Sequence, residues 1–308
     1  MKKDLLSEYE LDKSEYDRIF ERAAVLKDMH RKGFHPPTLS GKVLGMIFDK
    51  ASTRTRLSFE VGMYQLGGMA MFLSGRDTQI GRGETVADTA RVMSRYLDGV
   101  MIRTFSQDMV EEFAHYASIP VINGLTDLLH PCQILTDIFT VIEKRGTYEG
   151  MQVAYVGDGN NVANSWINAA VKLPFSLSLA CPEGYEPDRE IFDRAQVSEK
   201  ADVRLYRNPV DAVRGADVIY TDVWASMGQE SEQEERVRYF KDYQINEQLV
   251  EHAGKDAVVM HCLPAHRGEE ITAGIIDGPR SIIFDQAENR LHVQKAILEI
   301  LMSGGNEQ

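Results

Sequence analysis

Short apolar runs bounded by turn residues alternate with stretches of helical periodicity along most of the 308-residue chain. The runs Val43–Phe48, Met69–Leu73, Gly99–Ile102 and Pro120–Ile122 read as strands. A second series follows: Gln152–Val156, Leu177–Ala180, Asp202–Tyr206, Val218–Tyr220 and Ala257–Met260. Helical patterns lie between most of them, at Thr53–Leu66, Thr85–Tyr96, Met109–Tyr116, Asn164–Leu173 and Arg189–Lys200. Such alternation predicts parallel sheets flanked by helices. Two series predict two α/β domains. A long helix is expected from His130 to about Lys144, and the stretch from Arg145 to Gly150 then breaks the pattern. This places the domains at 1–147 and 148–308. A final helix, about Asp285 to Leu301, carries Leu291, Ile297, Leu298 and Leu301 and is expected to return to the first domain.

Charge narrows the list of partners. Lysine plus arginine number 34 and aspartate plus glutamate 47, a balance of −13. A nucleic-acid backbone needs a basic face, so nucleic acid is not an expected partner. A small anion needs only a local basic pocket. No apolar run approaches the roughly 18 residues of a membrane span. The lysines at the N-terminus lack the apolar core of a secretory signal. No membrane partner is expected. Cys132, Cys181 and Cys262 are an odd count without close spacing. Free thiols in a reducing cytoplasm are the expectation.

Five constellations carry candidate chemistry. In Phe48-Asp-Lys-Ala-Ser-Thr-Arg-Thr55 a strand ends and a helix begins. The first turn of a helix has amide N–H groups without intrahelical partners and partial positive charge. Ser52, Thr53 and Thr55 add hydroxyls and Arg54 a planar fork, which together suit a phosphate. The plainer reading is a capped basic helix start. In His130-Pro131-Cys132-Gln133, proline fits the first helical position. His130 and Gln133 then face the carboxyl end of a strand, where α/β sheets bind ligands. A capped helix with a solvated histidine is the alternative.

Val259-Met-His-Cys-Leu-Pro-Ala-His266 places Cys262 after a buried strand. His261, Cys262 and His266 have no second ligand pair, so no metal is expected. Tyr220-Thr-Asp-Val-Trp-Ala-Ser-Met-Gly228 offers Asp222 for an ammonium group and N–H groups near Ser226 and Met227 for a carboxylate. An Asp-capped turn explains it equally well. Val156-Gly-Asp-Gly-Asn-Asn-Val162 has the start of a dinucleotide turn but lacks its third glycine and its ribose-binding acid. No cofactor is therefore expected. Arg103 ends an apolar strand, and Arg290 opens the final helix.

Together and in this order the motifs resemble the aspartate/ornithine carbamoyltransferase superfamily, and within it the ornithine type. The resemblance runs from Ser52 to Arg290. It implies two α/β domains with helices crossing between them, the first binding carbamoyl phosphate and the second L-ornithine. It implies that Ser52, Thr53, Arg54 and Thr55 hold the phosphate. Arg103 and the motif of His130, Pro131, Cys132 and Gln133 would hold the carbamoyl group, with Cys262, Leu263 and Arg290 completing that pocket. Asn161, Asp222, Ser226 and Met227 would hold ornithine. Gln79, in Asp77–Glu84, would reach the phosphate of a neighbouring subunit, implying a homotrimer.

The implied reaction is carbamoyl transfer to the δ-amine, giving L-citrulline and phosphate, in arginine formation or in reverse. Arg103 and His130, with Thr55, would stabilise the tetrahedral oxygen, and Asp222 and Cys262 would assist deprotonation. The polar stretch Ser226–Arg236 is expected to close over substrate. Aspartate, putrescine or N-acylated ornithine as acceptor fits the Asp222 and Ser226 motif less well. A nicotinamide dehydrogenase and a non-catalytic binding relative are the readings from other classes.

Overall fold

The computed structural model describes residues 3–75, 83–225 and 233–303. The chain divides into two compact units, residues 1–139 with 288–308, and residues 140–287. In the first, β1 (Val43–Phe48), β2 (Met69–Ser74), β3 (Gly99–Arg103) and β4 (Val121–Leu125) form a sheet in the order β2-β1-β3-β4. Every pair is parallel. Its helices are α1 (Lys13–Arg31), α2 (Thr53–Gln65), α3 (Val86–Met93) and α4 (Gln107–Tyr116), with α5 (Pro131–Arg145) after β4.

In the second unit β5 (Gln152–Val156), β6 (Ser176–Ala180), β7 (Asp202–Tyr206), β8 (Val218–Thr221) and β9 (Val258–His261) take the order β7-β6-β5-β8-β9. These pairs are parallel too. Helices α6 (Asn161–Lys172), α7 (Arg189–Gln196), α8 (Pro209–Val213), α9 (Gln233–Phe240), α10 (Glu247–Val250) and α11 (Ala273–Ile276) follow their strands, and α12 (Ile283–Met302) ends the series. The division into units falls inside α5 and inside α12.

The two parallel sheets and all nine expected strands are present. Central strands β1 and β3 are apolar except for Arg103 at the carboxyl end of β3, because a parallel sheet is covered on both faces. Edge strand β2 leaves Met69, Met71 and Phe72 exposed. Helix α1 is an addition to the sequence-derived elements. Its signals are ordinary: a capping box of Asp12 and Glu15, then buried Tyr16, Ile19, Phe20, Ala23 and Leu26 at helical spacing. Helix α6 begins three residues before the expected Asn164, because the Asn160 side chain caps it by accepting from Val162 N and Ala163 N.

Strand order decides where a ligand can bind. In the first sheet the chain steps from β1 to β2 and then jumps back to β3, so the switch point lies between β1 and β3. In the second it steps from β5 through β6 to β7 and jumps back to β8, placing the switch between β5 and β8. At such a point the connections after neighbouring strands leave in opposite directions and open a crevice at the carboxyl ends. The described motif residues of each unit cluster there.

Candidate active site

At the first switch point Phe48 and Arg103 are register partners at the ends of β1 and β3. Ser52 caps α2 in extended conformation, its Oγ accepting from Thr55 N at 3.2 Å. A hydroxyl that accepts still has its own hydrogen to donate. Thr55 Oγ1 accepts from Arg290 Nη2 at 2.8 Å and from Arg103 Nη1 at 3.5 Å. Thr55, Arg103 and Arg290 are all buried. Two guanidinium groups on one threonine oxygen, beside a helix N-terminus, make a concentrated positive field. Ser52 and Arg54 are half-buried and Thr53 is exposed, so the cap opens toward solvent while Thr55 forms its floor.

His130 is set by the turn before it. Thr126 N donates to Leu129 O, and Thr126 Oγ1 accepts from Leu129 N. Pro131 then opens α5. Burial, with Arg290 and Arg103 nearby, holds the imidazole pKa well below its usual value. His130 is therefore neutral near pH 7, so one ring nitrogen carries a proton and can donate to a developing oxyanion. Gln133 is fully buried. Its Oε1 accepts from Arg290 Nη1, and its Nε2 donates to Asp137 Oδ1 at 2.7 Å. These partners fix the amide so that its oxygen lies on the arginine side. Asp137 was missed in the sequence, although its spacing of four from Gln133 puts both on one helix face.

The Cys132 thiol points away from this chemistry. It donates to Asn123 O on β4 at 3.4 Å, and burial pushes its pKa up to about 12. The thiol is a packing group.

At the second switch point Asp222 follows β8. Its Oδ1 accepts from Cys262 Sγ at 2.9 Å and from Val223 N at 2.8 Å, while its Oδ2 accepts from Asn160 Nδ2 at 2.8 Å. Asp222 is buried and Cys262 half-buried. Asn161 is the first residue of α6 and half-buried. Asp158 and Arg236 form a buried ion pair at 2.9 Å, and Arg236 also donates to Trp224 O. After Cys262 the backbone turns sharply, with Leu263 at φ 58°. That conformation costs a bulky residue on the order of 1–3 kcal/mol, and it persists only where surrounding contacts impose it. Here Leu263 N donates to His261 Nδ1 at 2.8 Å.

The structure thus brings Ser52, Thr55, Arg103, His130, Gln133 and Arg290 to the first switch point. It brings Asn161, Asp222, Cys262 and Leu263 to the second. Gln79, Ser226 and Met227 lie outside the described residues, as does most of Ser226–Arg236. Potential ligand atoms of Asp222, His261 and Cys262 do lie within 4.8 Å of one another, as do those of His266, Glu269 and Glu270. The His261 Nδ1 lone pair is already taken by Leu263 N–H.

A phosphate-type cradle lies in one α/β unit and a carboxylate–thiol pair in the other, groups suited to an anionic donor and to an amino acceptor. The family models agree. Residues 3–143 match "Aspartate/ornithine carbamoyltransferase, carbamoyl-P binding domain", and residues 149–301 match "Aspartate/ornithine carbamoyltransferase, Asp/Orn binding domain". The chain belongs to the aspartate/ornithine carbamoyltransferase family. It is 70% identical to an ornithine carbamoyltransferase of Syntrophus aciditrophicus over 98% of this chain and 100% of that protein. The solved ornithine carbamoyltransferase of Pyrococcus furiosus is 52% identical with a TM-score of 0.93, covering 98% of this chain and 97% of that one. The anabolic ornithine carbamoyltransferase of Campylobacter jejuni is 40% identical with a TM-score of 0.90, covering 97% of this chain and 98% of that one.

Proposed function

We propose that this chain transfers the carbamoyl group of carbamoyl phosphate to the δ-amino group of L-ornithine, giving L-citrulline and phosphate. The observation that carries this reading is the Thr55 floor, with two buried guanidinium groups on its hydroxyl oxygen beside a helix N-terminus and a neutral His130. Ser52, Thr53, Arg54 and Thr55 take the phosphate, and Gln79 of a neighbouring subunit joins them. Arg103, His130, the backbone of Pro131 and Cys132, Gln133 and Arg290 take the carbamoyl group, together with Cys262 and Leu263. Residues 1–147 and the final helix serve the donor; residues 148 onward, through Asn161, Asp222, Ser226 and Met227, serve ornithine.

In the reaction the neutral δ-nitrogen forms a bond to the carbonyl carbon, and negative charge collects on the carbonyl oxygen. Arg103, His130 and Thr55 donate to that oxygen. Preorganised donors of this kind are worth about 10²–10³ in rate each. The carbon–oxygen bond to phosphate then breaks, and the leaving dianion is stabilised by Arg54 and the start of α2. Gln133 fixes which face of the carbamoyl group is presented. Asp222 and Cys262 together assist removal of the one proton released from the attacking nitrogen. The same groups serve the reverse phosphorolysis.

The assembly in this reading is a homotrimer, and apolar side chains exposed on the first unit, Met69, Met71 and Phe72 of β2 and Leu57, Val61 and Tyr64 of α2, support an interface there. Large apolar side chains left exposed in number are a mark of interaction surfaces. Free cysteines accord with a cytoplasmic setting. No helix among the described residues is long and apolar enough to cross a membrane.

Purified protein given carbamoyl phosphate and, separately, L-ornithine, putrescine, N-acetylornithine or L-aspartate tests the reading. Ornithine-dependent citrulline with stoichiometric phosphate is expected. Turnover with another acceptor alone would overturn the roles of Asp222 and Ser226, and carbamoyl phosphate binding without any turnover would make the chain a binding relative.

A further inference from the structure

Cys262 and Leu263 sit on a backbone turn that their own side chains do not explain. Leu263 adopts φ 58°, a region that leucine rarely enters. Its N–H donates to His261 Nδ1, at 2.8 Å. An amide N–H can only donate, so Nδ1 is an acceptor and the imidazole proton sits on Nε2. That nitrogen lies 3.0 Å from Glu270 Oε1. The same carboxylate oxygen accepts from His266 N. The His261 and Glu270 side chains have no exposed surface. One buried carboxylate therefore clamps both ends of the segment 261–266, directly at one end and through the imidazole at the other.

We infer that His261 and Glu270 are positioning residues, acting through the Leu263 N–H to hold the left-handed turn that presents Cys262 and Leu263 to substrate. The ring cannot serve this end without its partner. Without an acceptor at Nε2 the proton is free to move to Nδ1, where it opposes the Leu263 N–H and releases the turn. Nothing in the local sequence signals Glu270, because its relation to His261 appears only when the loop folds back. The inference rests on the proposed placing of Cys262 and Leu263 at the carbamoyl group.

Two conservative and two disruptive variants test it, assayed as the full-length protein. His261→Asn keeps an acceptor near the Nδ1 position, and Glu270→Gln keeps an acceptor for Nε2–H. His261→Phe and Glu270→Leu keep volume and remove the hydrogen bonds. The disruptive pair should lose about 10²-fold in kcat, the scale of a reacting group misplaced by about 1 Å. The conservative pair should recover most of that loss.

A second readout is alkylation of Cys262, which is half-buried whereas Cys132 and Cys181 are buried. It should accelerate severalfold in the disruptive variants, as the S–H leaves Asp222. Disruptive variants that unfold cooperatively above the assay temperature, yet keep wild-type kcat and alkylation rate, would overturn the inference. So would conservative variants that fall as far as the disruptive ones. Cys262→Ala separates the two levels. If it leaves turnover unchanged, the placing of Cys262 at the reaction fails. If it impairs turnover while folded His261→Phe does not, the positioning role alone fails.

Discussion

The two switch points occupy the same topological place in their sheets and are built with opposite charge. After β1 and β3 a helix start, Arg103 and Arg290 gather on Thr55, and the nearby histidine is kept neutral by burial, with the two arginines adding to it. After β5 and β8 the focal group is a carboxylate, Asp222, ringed by an amide, a backbone N–H and a thiol. The fold supplies a crevice at the carboxyl ends of strands and leaves its chemistry open. What sits at the strand ends then sets the ligand that each crevice suits: a phosphate in one case, an ammonium-bearing acceptor in the other.

The sharpest way to break this comparison is at Arg103. Arg103→Ala should lower kcat by about 10²–10³, the value of one preorganised oxyanion donor. Arg103→Lys should recover little, since a point charge does not reproduce a planar fork. Steady-state kinetics at saturating ornithine reads both. If lysine restores full activity, the site needs charge alone and the geometric part of the account is wrong.

The next effect is at Asp222. Asp222→Asn keeps the size and removes the charge that would face ornithine's ammonium. Ornithine KM should rise at least about 30-fold, corresponding to roughly 2 kcal/mol or more for a buried charged partner. Carbamoyl phosphate KM should move less than about threefold, since the donor's charge is met in the other unit. Equal shifts in the two constants would erase the distinction between the regions.

Much of this was legible in the sequence, for identifiable reasons. Central strands buried on both faces are near-continuous apolar runs, and edge strands β2 and β7 showed as an apolar and an alternating run between turn residues, so all nine were found. Ser52 and Pro131 punctuate helix starts by local chemistry, and the structure places both there. The supporting groups were harder to see. Asp137 shares a face with Gln133 and was open to discovery by periodicity. Glu270 meets His261 through a folded loop, which no spacing rule encodes. The direction of the Cys132 side chain, toward Asn123, depends on helix rotation over the sheet.

The smallest effect concerns stability of the first unit rather than chemistry. Burial, aided by Lys295, Lys27, His30 and Arg31, lowers the His292 pKa from 6.5 to about 3. Between those values the unfolded chain binds a proton that the folded chain refuses. The stability contribution is therefore intact above pH 6.5 and is lost as pH falls toward 3. His292→Phe should shrink the drop in Tm between pH 7 and pH 5, by about 2–4 °C for each kcal/mol recovered. Thermal melts at the two pH values check this, and an undiminished drop would show that His292 does not govern the acid response.

Direct titration of carbamoyl phosphate into Arg103→Ala and Asp222→Asn, side by side with the wild-type protein, tests the opposed-charge account most directly. Arg103→Ala should weaken binding at least about 30-fold, from roughly 2 kcal/mol or more for a buried charged contact, while Asp222→Asn should bind within about threefold of wild type. Equal weakening in the two variants, or unimpaired binding in Arg103→Ala, would contradict the assignment of the anion to the first switch point.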